Sequence, residues 1–158
     1  MSINDLEEQF EKALSLNEVS SSQSVSIYTR ILAENAGGGD DDELNLLKER
    51  SIYELAEIYS RSSSMKELEQ LMTSIRPFFN KISKAKTGKI MRTLIDKMSR
   101  VKDVDYAVLI KLCTDCTDWC KTQKRVFLKQ QIECKLCEFY LLDRQYQAAL
   151  KLCNRLII

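Results

Sequence analysis

The residue types in this 158-residue chain that are able to do chemistry are six cysteines and an abundance of charge, with no histidine. Cys113 and Cys116 are separated by two residues, and so are Cys134 and Cys137. Two such pairs have the form of a four-thiolate zinc site, which needs four soft ligands in tetrahedral array. Each pair, however, falls inside a helical pattern with no Gly, Pro or Asn nearby to shape a knuckle. Leu109, Leu112, Cys116 and Trp119 follow helical spacing, as do Phe127, Cys134, Cys137 and Leu141. Both series read as buried faces on which a free thiol packs as a small hydrophobe. Core packing is therefore the reading taken, and no metal or cofactor is assigned. A zinc-binding helical module is the alternative.

Without histidine, neither a Ser-His-Asp nor a Cys-His arrangement can be built. The glycine run at 37–39 leads into acids and Gly88 stands alone, so no phosphate-cradling loop is present. Asp115 and Asp118 share a helix face, as solvated acids commonly do. The chain reads as a non-enzyme.

Charge is the remaining resource. Residues 1–45 hold ten Asp/Glu against two Lys/Arg, whereas residues 76–102 hold nine Lys/Arg against one Asp. A net charge of +1 thus conceals an acidic start and a basic middle, a polarity suited to a charged partner. Lys89, Arg92, Asp96 and Arg100 form one stripe opposite Met91, Leu94, Ile95 and Met98, with Arg92 and Asp96 spaced to pair along the helix. Such a stripe suits phosphates, but no aromatic interleaving or base-reading motif accompanies it. An acidic protein surface is preferred to nucleic acid, with an RNA-binding module as a lesser alternative. Lys84, Lys86, Lys89 and Arg92 are the candidate interaction residues.

These residues must be carried by helices. Four glycines and one proline leave little for the tight turns of an all-β fold. Asn4 is placed to cap a first helix over 4–16, and Val25, Tyr28, Ile31 and Leu32 mark a second. Residues 1–36 therefore read as an N-terminal helical pair and 37–42 as a flexible loop. From 43 to 158 a helix-turn-helix unit recurs, its first members starting near 43, 84 and 125. The partner of the first runs from Met65 toward Phe79, and the only proline, Pro77, marks a kink or junction. Tyr140, Tyr146, Ala149 and Leu150 stand where tetratricopeptide repeats place a bulky residue ending one helix and small or apolar residues opening the next. The predicted fold is all-α, a right-handed α-solenoid of paired helices resembling tetratricopeptide repeats. The apolar end Leu156-Ile157-Ile158 lacks a polar closing face, so part of a longer architecture is expected. Apolar runs are too short to span a bilayer and the start lacks a secretory pattern, so an intracellular protein with reduced thiols is expected.

Four strings carry a family resemblance. They are Phe10 with Ala13, Ser15 and Leu16; the run Lys48 to Ile52 with Glu54 and Leu55; RPFFNKISKAK from Arg76; and Trp119, Lys121, Lys124, Arg125, Phe127, Leu128 and Gln130, followed by the segment Tyr146 to Leu150. Together they resemble the N-terminal part of the 26S proteasome lid scaffold subunits of the PCI family, the family of non-ATPase regulatory subunit eleven. RPFFNKISKAK is the most specific, and the resemblance covers nearly the whole chain. The related COP9 signalosome scaffold, its subunit two, shares the architecture and is the alternative. The glycine run at 37–39 is unlike the family but falls where a loop tolerates insertion. The resemblance implies a helical solenoid preceding a PCI module, before which this sequence stops. It further implies a non-catalytic scaffold that braces the lid against the core-particle α-ring and the ATPase ring in ubiquitin-dependent degradation. Other lid subunits are implied partners, no nucleic acid or membrane is expected, and the implied setting is cytoplasm and nucleus.

Overall fold

A computed structural model describes residues 2–35 and 42–157, and the expected loop at 37–42 lies almost wholly outside them. The described residues are helical throughout, with no strand among them. The helices are α1 (Ile3–Leu16), α2 (Ser21–Ala33), α3 (Asp42–Arg61), α4 (Met65–Ser74), α5 (Lys84–Ser99), α6 (Tyr106–Thr122), α7 (Val126–Leu142) and α8 (Tyr146–Ile157). A 3-10 segment, Arg76–Lys81, separates α4 from α5. The all-α class of the sequence reading is what the chain adopts. First members of successive pairs begin at Asp42, Lys84 and Val126, and second members at Met65, Tyr106 and Tyr146. Sequence periodicity places the first members near 43, 84 and 125.

The chain divides into two compact units, residues 1–97 and 98–158. In the first, α1 packs on α2 and α3, α2 on α3, and α3 on α4. Its core is built from fully buried side chains including Phe10, Tyr28, Ile52, Leu55, Leu68 and Phe79. Phe10 and Tyr28 meet with ring centroids 5.5 Å apart, and the Arg50 guanidinium caps Phe10 at 4.4 Å. Each large ring withdrawn from water contributes roughly 2–3 kcal/mol. In the second unit α7 packs against both α6 and α8, around Leu109, Cys113, Cys116, Ile132, Phe139 and Leu152.

Two local expectations are corrected. Ser2, not Asn4, caps α1: its hydroxyl accepts from the Asp5 N–H at 3.2 Å while Asp5 accepts from the Ser2 N–H at 3.2 Å. This reciprocal box satisfies two end donors at once, whereas Asn4 already lies within the first turn of α1. Likewise α4 stops at Ser74 rather than running toward Phe79. Pro77 opens the 3-10 segment, where its missing N–H costs nothing, and Phe78 and Phe79 are driven inward. Ser83 then caps α5, its hydroxyl accepting from the Lys86 N–H at 3.2 Å.

Three of the joints repeat one geometry. Ser63, Lys124 and Arg144 have φ of 52°, 56° and 60°, in the left-handed region. In each, the N–H of the following residue reaches back five positions: Ser64 to Tyr59, Arg125 to Cys120 and Gln145 to Tyr140, all at 2.8 Å. This closes the helix end by the Schellman pattern with no glycine in it. Asp103, φ 54°, serves the turn before α6, where Asp105 caps Ala107 and Val108.

Candidate protein-interaction site

The four candidate cations lie at the start and middle of α5, and two of them, Lys86 and Lys89, turn toward α3 rather than forming a free stripe. Lys86 Nζ lies 3.3 Å from Glu49 Oε2, an ion pair with the lysine half exposed and the carboxylate mostly buried. Lys89 Nζ stands 5.7 Å from the centre of the Tyr53 ring. Arg92 is half-buried and its Nε donates to the Gly88 carbonyl at 3.1 Å. Lys84 is exposed. Further along α5, Lys97 pairs with Glu57.

The partners on α3 explain the alignment. Glu49, Tyr53 and Glu57 recur every four residues and so share one face. Lys86, Lys89 and Lys97 of α5 meet that face in the same order, giving a ladder of cation against acid or ring. Glu57 also accepts from Arg61 Nε at 2.9 Å, and Arg61 reaches Glu18 at 3.0 Å. The Lys97 hydrogen bond, with help from Arg61, holds the Glu57 carboxyl below its ordinary value. Burial pushes the Tyr53 phenol up to about 12, with Glu49 adding to the effect and Arg92 opposing it. The Tyr53 hydroxyl and Glu49 Oε2 are buried without a hydrogen-bond partner, so the ion pair to Lys86 is electrostatic rather than a shaped bond.

The sequence missed this ladder's second rail. A stripe on α5 is visible in spacing, but which stripe faces it depends on how α3 and α5 are brought together. The signal available was the four-residue recurrence of Glu49, Tyr53 and Glu57.

The thiols fall differently from the pattern expected of them. Cys113, Cys116 and Cys120 are buried on α6, alongside Leu109 and Leu112, while Trp119 is half-buried under the Arg125 guanidinium at 4.8 Å. On α7 the expected inward series fails: Phe127, Cys134 and Leu141 face solvent, and only Cys137 of that set is buried. Leu128, Ile132, Leu136 and Phe139 take the core instead. Both sides of α7 are apolar, and contact with α6 and α8 selects the side that the spacing alone did not. Among the described residues, no group of three or more His, Cys, Asp or Glu side chains is placed to hold a metal. Cys137 instead touches Cys153 of α8, Sγ to Sγ 3.4 Å. Ala149 is buried, as its small size suggested, whereas Tyr146 and Leu150 are exposed.

A second charged surface crosses α6, α7 and α8 of the second unit. A groove of about 620 Å³ is edged by Lys121, Lys129, Lys151 and Arg155. Its floor holds Glu133, 4% exposed, with Lys129 at 3.3 Å and Arg155 at 3.4 Å. No described helix is long and apolar enough to cross a membrane.

Comparison with known proteins places the sequence beside proteasome regulatory subunits. Residues 6–143 match the family described as the 26S proteasome regulatory subunit RPN6 N-terminal domain. The chain is 34% identical over 135 residues to the "Probable 26S proteasome regulatory subunit rpn6" of Schizosaccharomyces pombe, covering 85% of this chain and 31% of that protein. It is 31% identical over 140 residues to the "26S proteasome non-ATPase regulatory subunit 11 homolog" of Arabidopsis thaliana, covering 89% and 32%. Against the "26S proteasome regulatory subunit RPN6" of Saccharomyces cerevisiae identity is 31% over 150 residues, covering 90% and 34%. The chain thus spans about a third of the length of the curated relatives it matches. With the family matching nearly nine-tenths of its residues, the chain belongs to the RPN6 N-terminal-domain family of 26S proteasome regulatory subunits.

Proposed function

We propose that this chain acts as a non-catalytic scaffold in the lid of the 26S proteasome regulatory particle, bracing the lid against the core-particle α-ring and the ATPase ring. The observation that carries the proposal is the family match across residues 6–143. Paired helices suit the task, because they present extended surface for large partners while asking little chemistry of any one residue. Lys84, Lys86, Lys89 and Arg92 are the proposed contact residues. Lys84 is the most available of them, since Lys86 and Lys89 already lean on α3. Partners are other lid subunits and the two rings, and the setting is cytoplasm and nucleus.

The test is co-migration of the tagged chain on native gels with purified core particle and, separately, with purified regulatory particle. Association with either supports the scaffold reading, and binding to core particle alone assigns the bracing contact to this segment. Binding to neither, at low salt and excess chain, removes it. Lys84→Glu is expected to weaken core-particle association without changing helical content, and unchanged binding takes this residue out of the contact.

A further inference from the structure

The geometry points to Cys137 and Cys153 as a peroxide-sensitive dithiol that closes to a disulfide and fastens α8 to α7. The two sulfurs come from neighbouring helices and lie 3.4 Å apart. A disulfide needs about 2.05 Å, so closure asks for a shift of little more than 1 Å, within the reach of side-chain rotation. The pair is not visible in sequence, where Cys137 stands with Cys134 and Cys153 is sixteen residues beyond it.

Access divides the roles. Cys153 is half-buried and reachable, whereas Cys137 is buried. Burial, the contact with Cys153 and the nearby Cys134 and Glu133 push the Cys137 thiol up to about 12, so it stays protonated at neutral pH. Cys153 sulfur attacks one oxygen of hydrogen peroxide and the O–O bond breaks. Its thiol proton joins the departing oxygen as water, leaving Cys153 as a sulfenic acid. Cys137 sulfur then attacks the Cys153 sulfur; the S–O bond breaks and the hydroxyl leaves with the Cys137 proton as a second water. Two thiols and one peroxide give one disulfide and two waters. Cys134, exposed one turn before Cys137 on the same helix, is the competing partner. A bond between those two would staple α7 to itself and leave α8 unconstrained.

The experiment treats the full chain with a small excess of hydrogen peroxide, blocks remaining thiols with N-ethylmaleimide and digests without reductant. Trypsin places the three cysteines on separate peptides, 130–135, 136–144 and 152–155. The expected product joins 136–144 to 152–155 with loss of two hydrogens. It should survive in Cys134→Ser and disappear in Cys153→Ser, with unchanged helical content of both variants checked by circular dichroism. Hydrogen exchange of the α8 amides should slow on the order of tenfold in the oxidised chain, because the link removes local openings that separate α8 from α7. The proposal is overturned if 130–135 joins 136–144 instead, if Cys153 goes on to sulfinic acid unlinked, or if chain unfolded in urea links the same pair equally well. Unchanged α8 exchange in a linked chain overturns the fastening.

Discussion

Lys86 Nζ rests 3.3 Å from Glu49 Oε2, joining the first turn of α5 to the middle of α3. Glu49 is mostly buried and that oxygen has no hydrogen-bond donor, so the lysine is its principal electrostatic relief. Lys86→Glu sets two carboxylates against each other and is expected to cost about 1 kcal/mol or more. Lys84→Glu, two positions away and exposed, should stay within about 0.5 kcal/mol. Urea denaturation of the two variants distinguishes them by midpoint, and equal midpoints would refute a role for the pair.

Glu57 gives the fold an acid-sensitive point. Its carboxyl is held below the ordinary value of 4.5 by Lys97 and Arg61. A depressed folded-state value means stability that is present above 4.5 and lost as pH falls through the folded value. Lys97→Met should raise the Glu57 value and flatten that part of the stability profile between about pH 5 and pH 3. A midpoint-against-pH curve that keeps its slope in Lys97→Met contradicts the assignment.

Two tyrosines should respond oppositely to loss of a hydroxyl. Tyr28 OH donates to Asn17 Oδ1 at 3.0 Å, and Asn17 Nδ2 donates to Glu54 at 3.1 Å, tying α1, α2 and α3 together. Tyr53 OH is buried with no such partner. Tyr28→Phe is expected to cost about 1 kcal/mol and Tyr53→Phe to be neutral or stabilising. Burial raises both phenols to about 12, so their contribution is intact below pH 10 and is lost as pH climbs from 10 through 12. Phenolate absorbance of each single variant, followed through an alkaline titration, checks this: each should remove one late-titrating group.

The left-handed joints predict gains. Lys124 holds φ 56° with a Cβ that crowds the neighbouring carbonyl. Lys124→Gly relieves that crowding and should stabilise by about 0.5–1 kcal/mol after the entropy glycine adds to the unfolded chain. Lys121→Gly, inside α6, should instead lose about 1 kcal/mol. Thermal melts of the pair should move in opposite directions.

Much of this architecture is legible in the sequence, for a physical reason. Helix starts depend on local matters, such as the apolar recurrence that opens α3, α5 and α7. The side of a helix that turns inward depends on its neighbours. On α5 only one side is apolar, so Met91, Leu94, Ile95 and Met98 were placed correctly in the core. On α7 both sides are apolar, so Phe127 and Leu141 were assigned inward when they face out. The candidate site was half legible in the same way: the cations were visible as a stripe, but Glu49, Tyr53 and Glu57 became their counterparts only when α3 and α5 met. Cys137 and Cys153 were wholly illegible as a pair, because no spacing rule joins residues on two different helices.

The string Lys97–Glu57–Arg61–Glu18 bears on the order of events in time. Its outer pairs bridge 40 and 43 residues of chain, whereas the Schellman closures join residues only five apart. Local closures form in the earliest steps, and the distant pairs become available only after the hairpins they connect have docked. Interactions made after the rate-limiting step act on escape from the native state rather than on entry to it. Cutting this string should therefore quicken unfolding while leaving the refolding limb of a chevron in place, making it a latch on the lifetime of the folded chain rather than a guide to its formation.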